Sequence, residues 1–85
     1  MERKLLKFYA DWCGPCRPME TVVEKISDLY EIEVESINID LDRETTDKYG
    51  VASIPTVVLL EDGQEVARHT GSAPHTKVAA SLGLS

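Results

Sequence analysis

The chain has 85 residues, of which 42% are hydrophobic and 28% charged, with a net charge of −6, a profile that fits one small globular domain over residues 1–85. The acidic balance argues against nucleic acid and anionic membranes as partners, and no apolar run approaches the ~20 residues of a spanning helix. Met1-Glu2-Arg3-Lys4 is too charged, and the apolar stretch behind it too short, for a signal peptide. The expected setting is therefore a reducing cytoplasm, where a cysteine pair is more often catalytic or metal-binding than structural.

Residues 4–10 predict a strand buried on both faces apart from Lys7. Leu5, Lys7 and Tyr9 share one face, and Leu6, Phe8 and Ala10 the other. Asp11 and Trp12 end it and lead into Cys13-Gly14-Pro15-Cys16, which holds the only two cysteines beside the only tryptophan. From about Gly14 to Tyr30 the periodicity is helical, with Met19, Val22, Val23, Ile26, Leu29 and Tyr30 on one stripe. Glu20 and Glu24 fall on the polar side. Cys13 is placed at the cap and Cys16 in the first turn, with Pro15 suited to that turn. Pro18 conflicts with a helix starting at Gly14, because its missing N–H would bond back to that residue, and predicts a loosened or kinked first turn.

Residues 33–39 predict a second strand, parallel to the first, so that strand, helix and strand form one right-handed unit. A short helix follows between Asp40 and Gly50, capped by Asp42 and stopped by Gly50. Val57 to Leu60 form a third, central strand, with Pro55 tolerated at its start. Asp62-Gly63 makes a hairpin turn, residues 65–70 return as a fourth strand with His69 at an exposed edge, and a last helix runs from Pro74 to about Leu82, with Ser72 as a candidate cap. The result is an α/β fold, β-α-β-α-β-β-α, with a four-stranded mixed sheet in the order 2-1-3-4.

A cysteine pair at this spacing supports three readings. A thiol at a helix N-terminus has a depressed pKa, and the thiolate is the attacking species, so a strand–CxxC–helix arrangement reads as a redox motif. A purely structural disulfide is a poor alternative, since so short a loop constrains the unfolded chain little. Zinc binding would need Cys13 and Cys16 to meet His69 and His75, which lie far along the chain; no metal is expected.

The segment from Phe8 to Arg17, Phe-Tyr-Ala-Asp-Trp-Cys-Gly-Pro-Cys-Arg, closely resembles the active-site segment of thioredoxins. Asn38-Ile39-Asp40, Ile54-Pro55-Thr56, and Asp62-Gly63 followed by Gly71 fall in the family's order, so the resemblance covers almost the whole chain. It is most similar to small thioredoxins without the N-terminal strand and helix of the full-length ones. The resemblance implies a protein-disulfide reductase with no cofactor beyond its own redox-active Cys13–Cys16 pair. It implies Cys13 as exposed nucleophile and Cys16 as resolving thiol. It further implies a cis peptide before Pro55 and a docking rim of Trp12, Gly14, Pro15, Ile54, Pro55 and Gly71. Implied partners are a thioredoxin reductase or equivalent electron donor and disulfide-containing proteins, met by a monomer. A glutathione-fed, glutaredoxin-like protein is the close alternative, and a non-catalytic docking module a more distant one.

The sequence departs from the family at three places. Tyr9 replaces a common Trp, and Thr21 stands where a helix-kinking Pro is usual. Lys7 occupies the position where the family buries an Asp beneath the resolving cysteine, and Ser36 that of the Asp's Lys partner. The family's general base therefore does not carry over. Lys7 is expected near Cys16, where it would favour that thiolate or take its proton.

Overall fold

Side chains alternate along β1 (Arg3–Tyr9) so that apolar groups leave the sheet on both sides. Such a strand needs a partner on each edge and cover on each face. The computed structural model, which describes residues 1–84, supplies both. β2 (Glu33–Asn38) pairs with β1 in parallel, placing Lys7 opposite Ser36 and Phe8 opposite Ile37. β3 (Thr56–Glu61) pairs antiparallel on the other edge, with Lys7 opposite Val57. β4 (Gln64–Thr70) pairs antiparallel with β3, and the sheet order is β2-β1-β3-β4, as expected.

The two faces are filled differently. Leu5, Val57 and Leu59 meet Met19, Val23 and Ile26 of α1 (Cys16–Tyr30) and Val78 and Ala79 of α3 (His75–Ser81). Leu6, Phe8, Ile37, Val58 and Leu60 form the other cluster, against Tyr49 and Val51, which follow α2 (Arg43–Lys48). Arg68 ties this side down. Its guanidinium donates to both Glu65 carboxylate oxygens, at 2.6 and 2.8 Å, and to the Tyr49 carbonyl at 2.6 Å. β4 is thus fastened to the end of α2 by a charge-assisted fork.

Local chemistry sets the boundaries. Asp42 caps α2, its side chain accepting from the Thr45 N–H at 3.0 Å. Asp62 and Gly63 both take positive φ, 50° and 83°, the conformation that a two-residue hairpin turn needs. Five expectations are corrected. α1 begins at Cys16 with Pro15 as its cap, so Cys13 lies a turn ahead of the helix. Pro18 then falls in the first turn, where no intrahelical N–H is required, and the kink predicted from a start at Gly14 has no cause. Leu29 is 60% exposed rather than part of the core. Ser72 does not cap α3; Pro74 precedes it without a side-chain cap. His69, opposite Val57 on β4, is half-buried, and its Nε2 is enclosed without a hydrogen-bond partner.

Two carboxylates make folding pH-dependent. The Thr45 backbone N–H holds the Asp42 carboxyl below its ordinary value of 3.8, and the hydrogen bond from Arg68 holds Glu65 below 4.5. Groups with depressed folded values stabilise fully above their unfolded values and lose that contribution as pH falls through the folded ones. Lys4 behaves oppositely. Its hydrogen bond to Glu35 raises it above 10.5, so its contribution is complete below that value and fades as pH climbs through the folded one. Thermal unfolding should therefore show a decline in Tm from about pH 5 downward. Asp42→Asn with Glu65→Gln should lower Tm at neutral pH and flatten the acid decline; an unchanged acid slope would remove these two groups as its cause.

Candidate active site

The site is built at the end of β1. After Tyr9 the chain closes a turn in which the Cys13 N–H donates to the Ala10 carbonyl at 3.2 Å. A second turn follows at once, with the Cys16 N–H on the Cys13 carbonyl at 3.3 Å and the Arg17 N–H on the Gly14 carbonyl at 3.1 Å. Pro15, with φ −63° and ψ −17°, already has helical dihedrals and feeds these turns into α1. Cys13 and Cys16 are linked as a disulfide with their Cα atoms 5.4 Å apart.

The two cysteines are equally buried. Cys13 and Cys16 are each 5% exposed, packed with Ala10 and flanked by Tyr9, Ile39 and Ile54. The expected contrast of an exposed Cys13 with a shielded Cys16 is thus absent in this oxidised state, because the bridge draws both side chains into the same apolar notch. What differs is the surroundings. Trp12 is 69% exposed, and Gly14 and Pro15 beside it are exposed. The Trp12 indole N–H donates to Asp40 Oδ2 at 2.8 Å. Asp40 is itself set by its N–H on Asn38 Oδ1 at 3.0 Å, and the Ile39 N–H bonds the Tyr9 carbonyl at 2.9 Å. The segment after β2 therefore anchors the tryptophan.

The remaining rim residues come from the entry and exit of the β3–β4 hairpin. The Ile54–Pro55 peptide is cis. Its loop is pinned from two directions. The Gly71 N–H donates to the Pro55 carbonyl at 2.8 Å, and the Thr56 hydroxyl donates to the Ser53 carbonyl at 2.7 Å and pairs with that of Thr70. Ile54 packs on the cysteine cluster, and with Trp12 it lines a groove of about 490 Å³ that also includes Arg43 and Ser53.

Lys7 lies on β1 with 8% exposure. Its ammonium is 3.8 Å from Glu20 Oε1 and 5.9 Å from the centre of the Tyr9 ring. Glu20, read from the sequence as one charge on a solvated face, lines a cavity of about 330 Å³ with Cys13, Cys16, Asp11 and Arg17. Nothing in the helical periodicity distinguished Glu20 from Glu24. Its spacing of four residues from Cys16 was the available signal, since side chains at i and i+4 are neighbours. His69 and His75 are not gathered with the cysteines. Among the described residues no group of three or more His, Cys, Asp or Glu side chains is arranged to hold a metal.

A family model described as Thioredoxin matches residues 1–83. The chain is 41% identical over 80 residues to a thioredoxin of Synechocystis sp., covering 92% of this chain and 75% of that protein. It is also 41% identical over 73 residues to a thioredoxin of Rhodospirillum rubrum, covering 84% and 70%. Among solved structures, the fold is similar to Fasciola hepatica thioredoxin, with a TM-score of 0.84 and 34% identity over 96% of this chain and 79% of that one. The oxidised form of mitochondrial thioredoxin 3 from Saccharomyces cerevisiae gives a TM-score of 0.85 at 27% identity over 98% and 79%.

Two glycines at the rim should respond differently to substitution. Gly71 has φ +99°, which an L side chain rarely adopts, whereas Gly14 lies outside the left-handed region and a Cβ there meets nothing within 4 Å. Gly71→Ala should cost about 1 kcal/mol or more in urea unfolding. Gly14→Ala should leave stability unchanged and raise KM for a protein disulfide, since the added methyl intrudes only on a docked partner. Equal stability losses in the two variants would refute this division.

Proposed function

The chain belongs to the thioredoxin family, and from that membership we propose how its residues divide the work of a protein thiol–disulfide oxidoreductase. The observation that carries this reading is the Cys13–Cys16 disulfide, set in the turn between the central strand and α1. In the reduced protein the Cys13 thiolate attacks a substrate disulfide. A mixed disulfide forms and one substrate sulfur leaves as a thiolate. The Cys16 thiolate then attacks Cys13 Sγ, closing the internal disulfide and releasing the second substrate sulfur. Two electrons pass from the cysteine pair to the substrate, with no bound cofactor taking part.

Cys13 is assigned as nucleophile because it lies ahead of the helix, beside the exposed Trp12 and Gly14, where a substrate can approach. Cys16 is assigned as the resolving thiol because it is the first residue of α1, one turn further from the exposed Trp12 and Gly14. Trp12, Gly14, Pro15, Ile54, Pro55 and Gly71 form the docking rim. The Gly71 to Pro55 hydrogen bond supports this grouping, since it keeps the two loops of the rim at a fixed separation. Lys7 assists the second step. Its ammonium, ion-paired to Glu20 at the cavity that both cysteines line, supports formation of the Cys16 thiolate.

The electron donor assigned here is a thioredoxin reductase or an equivalent, and the protein acts on other proteins as a cytoplasmic monomer built as one domain over residues 1–85. No helix among the described residues is long and apolar enough to cross a membrane.

The division of labour has a direct test. Cys13→Ser should abolish reduction of insulin disulfides, while Cys16→Ser should accumulate a covalent mixed disulfide with substrate. Iodoacetamide added to the reduced protein at neutral pH should alkylate Cys13 first; preferential labelling of Cys16 would reverse the assignment. Turnover of insulin should be supported by NADPH with a thioredoxin reductase and not by glutathione alone. Efficient turnover with glutathione would move the protein to the glutaredoxin-like alternative.

A further inference from the structure

Resolution of the mixed disulfide requires the Cys16 thiol to lose a proton, and the cavity beside the cysteines limits where that proton can go. The titratable or charged groups there are Tyr9 at the end of β1, Asp11 in the turn after it, and Arg17 and Glu20 from α1. Lys7 lies behind Glu20, and its partners across the sheet, Ser36 on β2 and Val57 on β3, carry no charge. An arginine stays protonated, and a tyrosine hydroxyl ordinarily titrates near pH 10. A lysine ammonium ion-paired to a carboxylate is a donor with no lone pair to offer. Only the carboxylates Asp11 and Glu20 can accept. Asp11 belongs to the turn before Cys13. Glu20 stands one helical turn after Cys16, on the same face, where i and i+4 side chains have Cβ atoms about 5–6 Å apart.

We propose that Glu20 is the proton acceptor for Cys16 during resolution, and that Lys7 is the positioning residue that holds its carboxylate at the cavity. The proposal rests on Cys16 being the resolving thiol. The cavity, about 330 Å³, is large enough for a water to carry the proton if the two side chains do not touch. The step balances as follows. The Cys16 S–H proton passes to the Glu20 carboxylate. The sulfur electron pair forms the bond to Cys13 Sγ. The Cys13–substrate S–S bond breaks, its pair leaves on the substrate sulfur, and the proton on Glu20 returns to that thiolate or to solvent. The cysteine pair is oxidised and the substrate reduced. Of the two roles expected for Lys7 from the sequence, charge and proton acceptance, the first becomes the positioning of the Glu20 carboxylate and the second passes to Glu20.

The test uses the reduced protein and 5,5′-dithiobis(2-nitrobenzoate), followed by stopped-flow absorbance. Attack by Cys13 releases one coloured thiolate, and attack by Cys16 releases the second, so formation and resolution are separate phases of one trace. Glu20→Gln should leave the first phase within about twofold and slow the second by about a hundredfold near pH 7, the low end of what a positioned base supplies. The deficit should shrink toward pH 9, above the reference thiol pKa of about 8.5, where Cys16 ionises unaided. Glu20→Asp should recover part of the rate. Lys7→Met should slow the same phase, and the double variant should be no slower than Glu20→Gln alone, the non-additivity expected of groups that act as one unit. Glu20 is 64% exposed at its side chain, so its variants should fold. Wild-type resolution in Glu20→Gln with slow resolution in Lys7→Met would overturn the inference and leave Lys7 acting alone. Wild-type rates in both would remove both residues from the step. A second phase that persists in Cys16→Ser would instead overturn the cysteine assignment itself.

Discussion

Burial of β1 on both faces is the constraint on which the rest of the structure depends. Leu5 and Phe8 are fully buried on opposite sides of it, so its neighbours cannot slide by one residue without turning apolar groups into solvent. That fixed register carries through to the site. With Phe8 opposite Thr56 on β3 and Tyr9 opposite Asn38 on β2, three segments must leave the sheet at one end. They are the cysteine turn, the Pro55 loop and the Asn38–Asp40 segment. Each is then held by a main-chain hydrogen bond: Cys13 to Ala10 within the cysteine turn, Ile39 to Tyr9 at the end of β1, and Gly71 to Pro55. The rim is rigid because the sheet beneath it allows one alignment only.

Lys7 runs against this economy. A lysine that is 10% exposed at its side chain loses most of its hydration, and its carboxylate partner is 3.8 Å away and 64% exposed. A pair so solvated on one side returns little Coulomb energy, while removing an ammonium from water costs several kcal/mol when unrelieved. Part of the relief comes from the ammonium standing over the Tyr9 ring, 5.9 Å from its centre, within cation–π range. The balance does not favour Lys7 as a device for stability. A residue that breaks the local rule next to a side chain lining the cysteine cavity is where function, not folding, is expected to have set the choice.

Much of this was legible in the sequence because it rests on local rules. Alternation in residues 4–10, the 3.6-residue period after Cys16, the Asp42 cap and the Asp62–Gly63 turn each report a backbone preference within a few residues, and together they give the strand order. Errors arose where a long-range contact decides. Leu29 has helix spacing but falls beyond the edge of what the sheet and α3 cover. His69 resembles an edge side chain until pairing with Val57 turns it toward the face that α1 and α3 occupy. Pro18 conflicted only with a helix start placed two residues early, and the turns that set the true start depend on the dihedrals of Pro15. At the site, the cysteines and the rim were legible through the motif and the resemblance, whereas Glu20 was not. Its meaning comes from a lysine thirteen positions earlier on another element, and no periodicity encodes that meeting.

The position of the disulfide also separates redox state from fold. The bridge spans a sequence separation of 3, and a loop that short takes little conformational freedom from the unfolded chain. The residues that hold the domain together are elsewhere, in the two clusters on either side of β1, and they contain neither cysteine. Ala10, Cys13 and Cys16 form a small third cluster at the sheet's end. Opening the bridge therefore disturbs only that cluster, while the register of β1, β2 and β3 goes on fixing the backbone around it. A protein that must pass repeatedly between dithiol and disulfide needs this independence. If the bridge carried the fold, each substrate reduced would alter the stability of the site that reduced it.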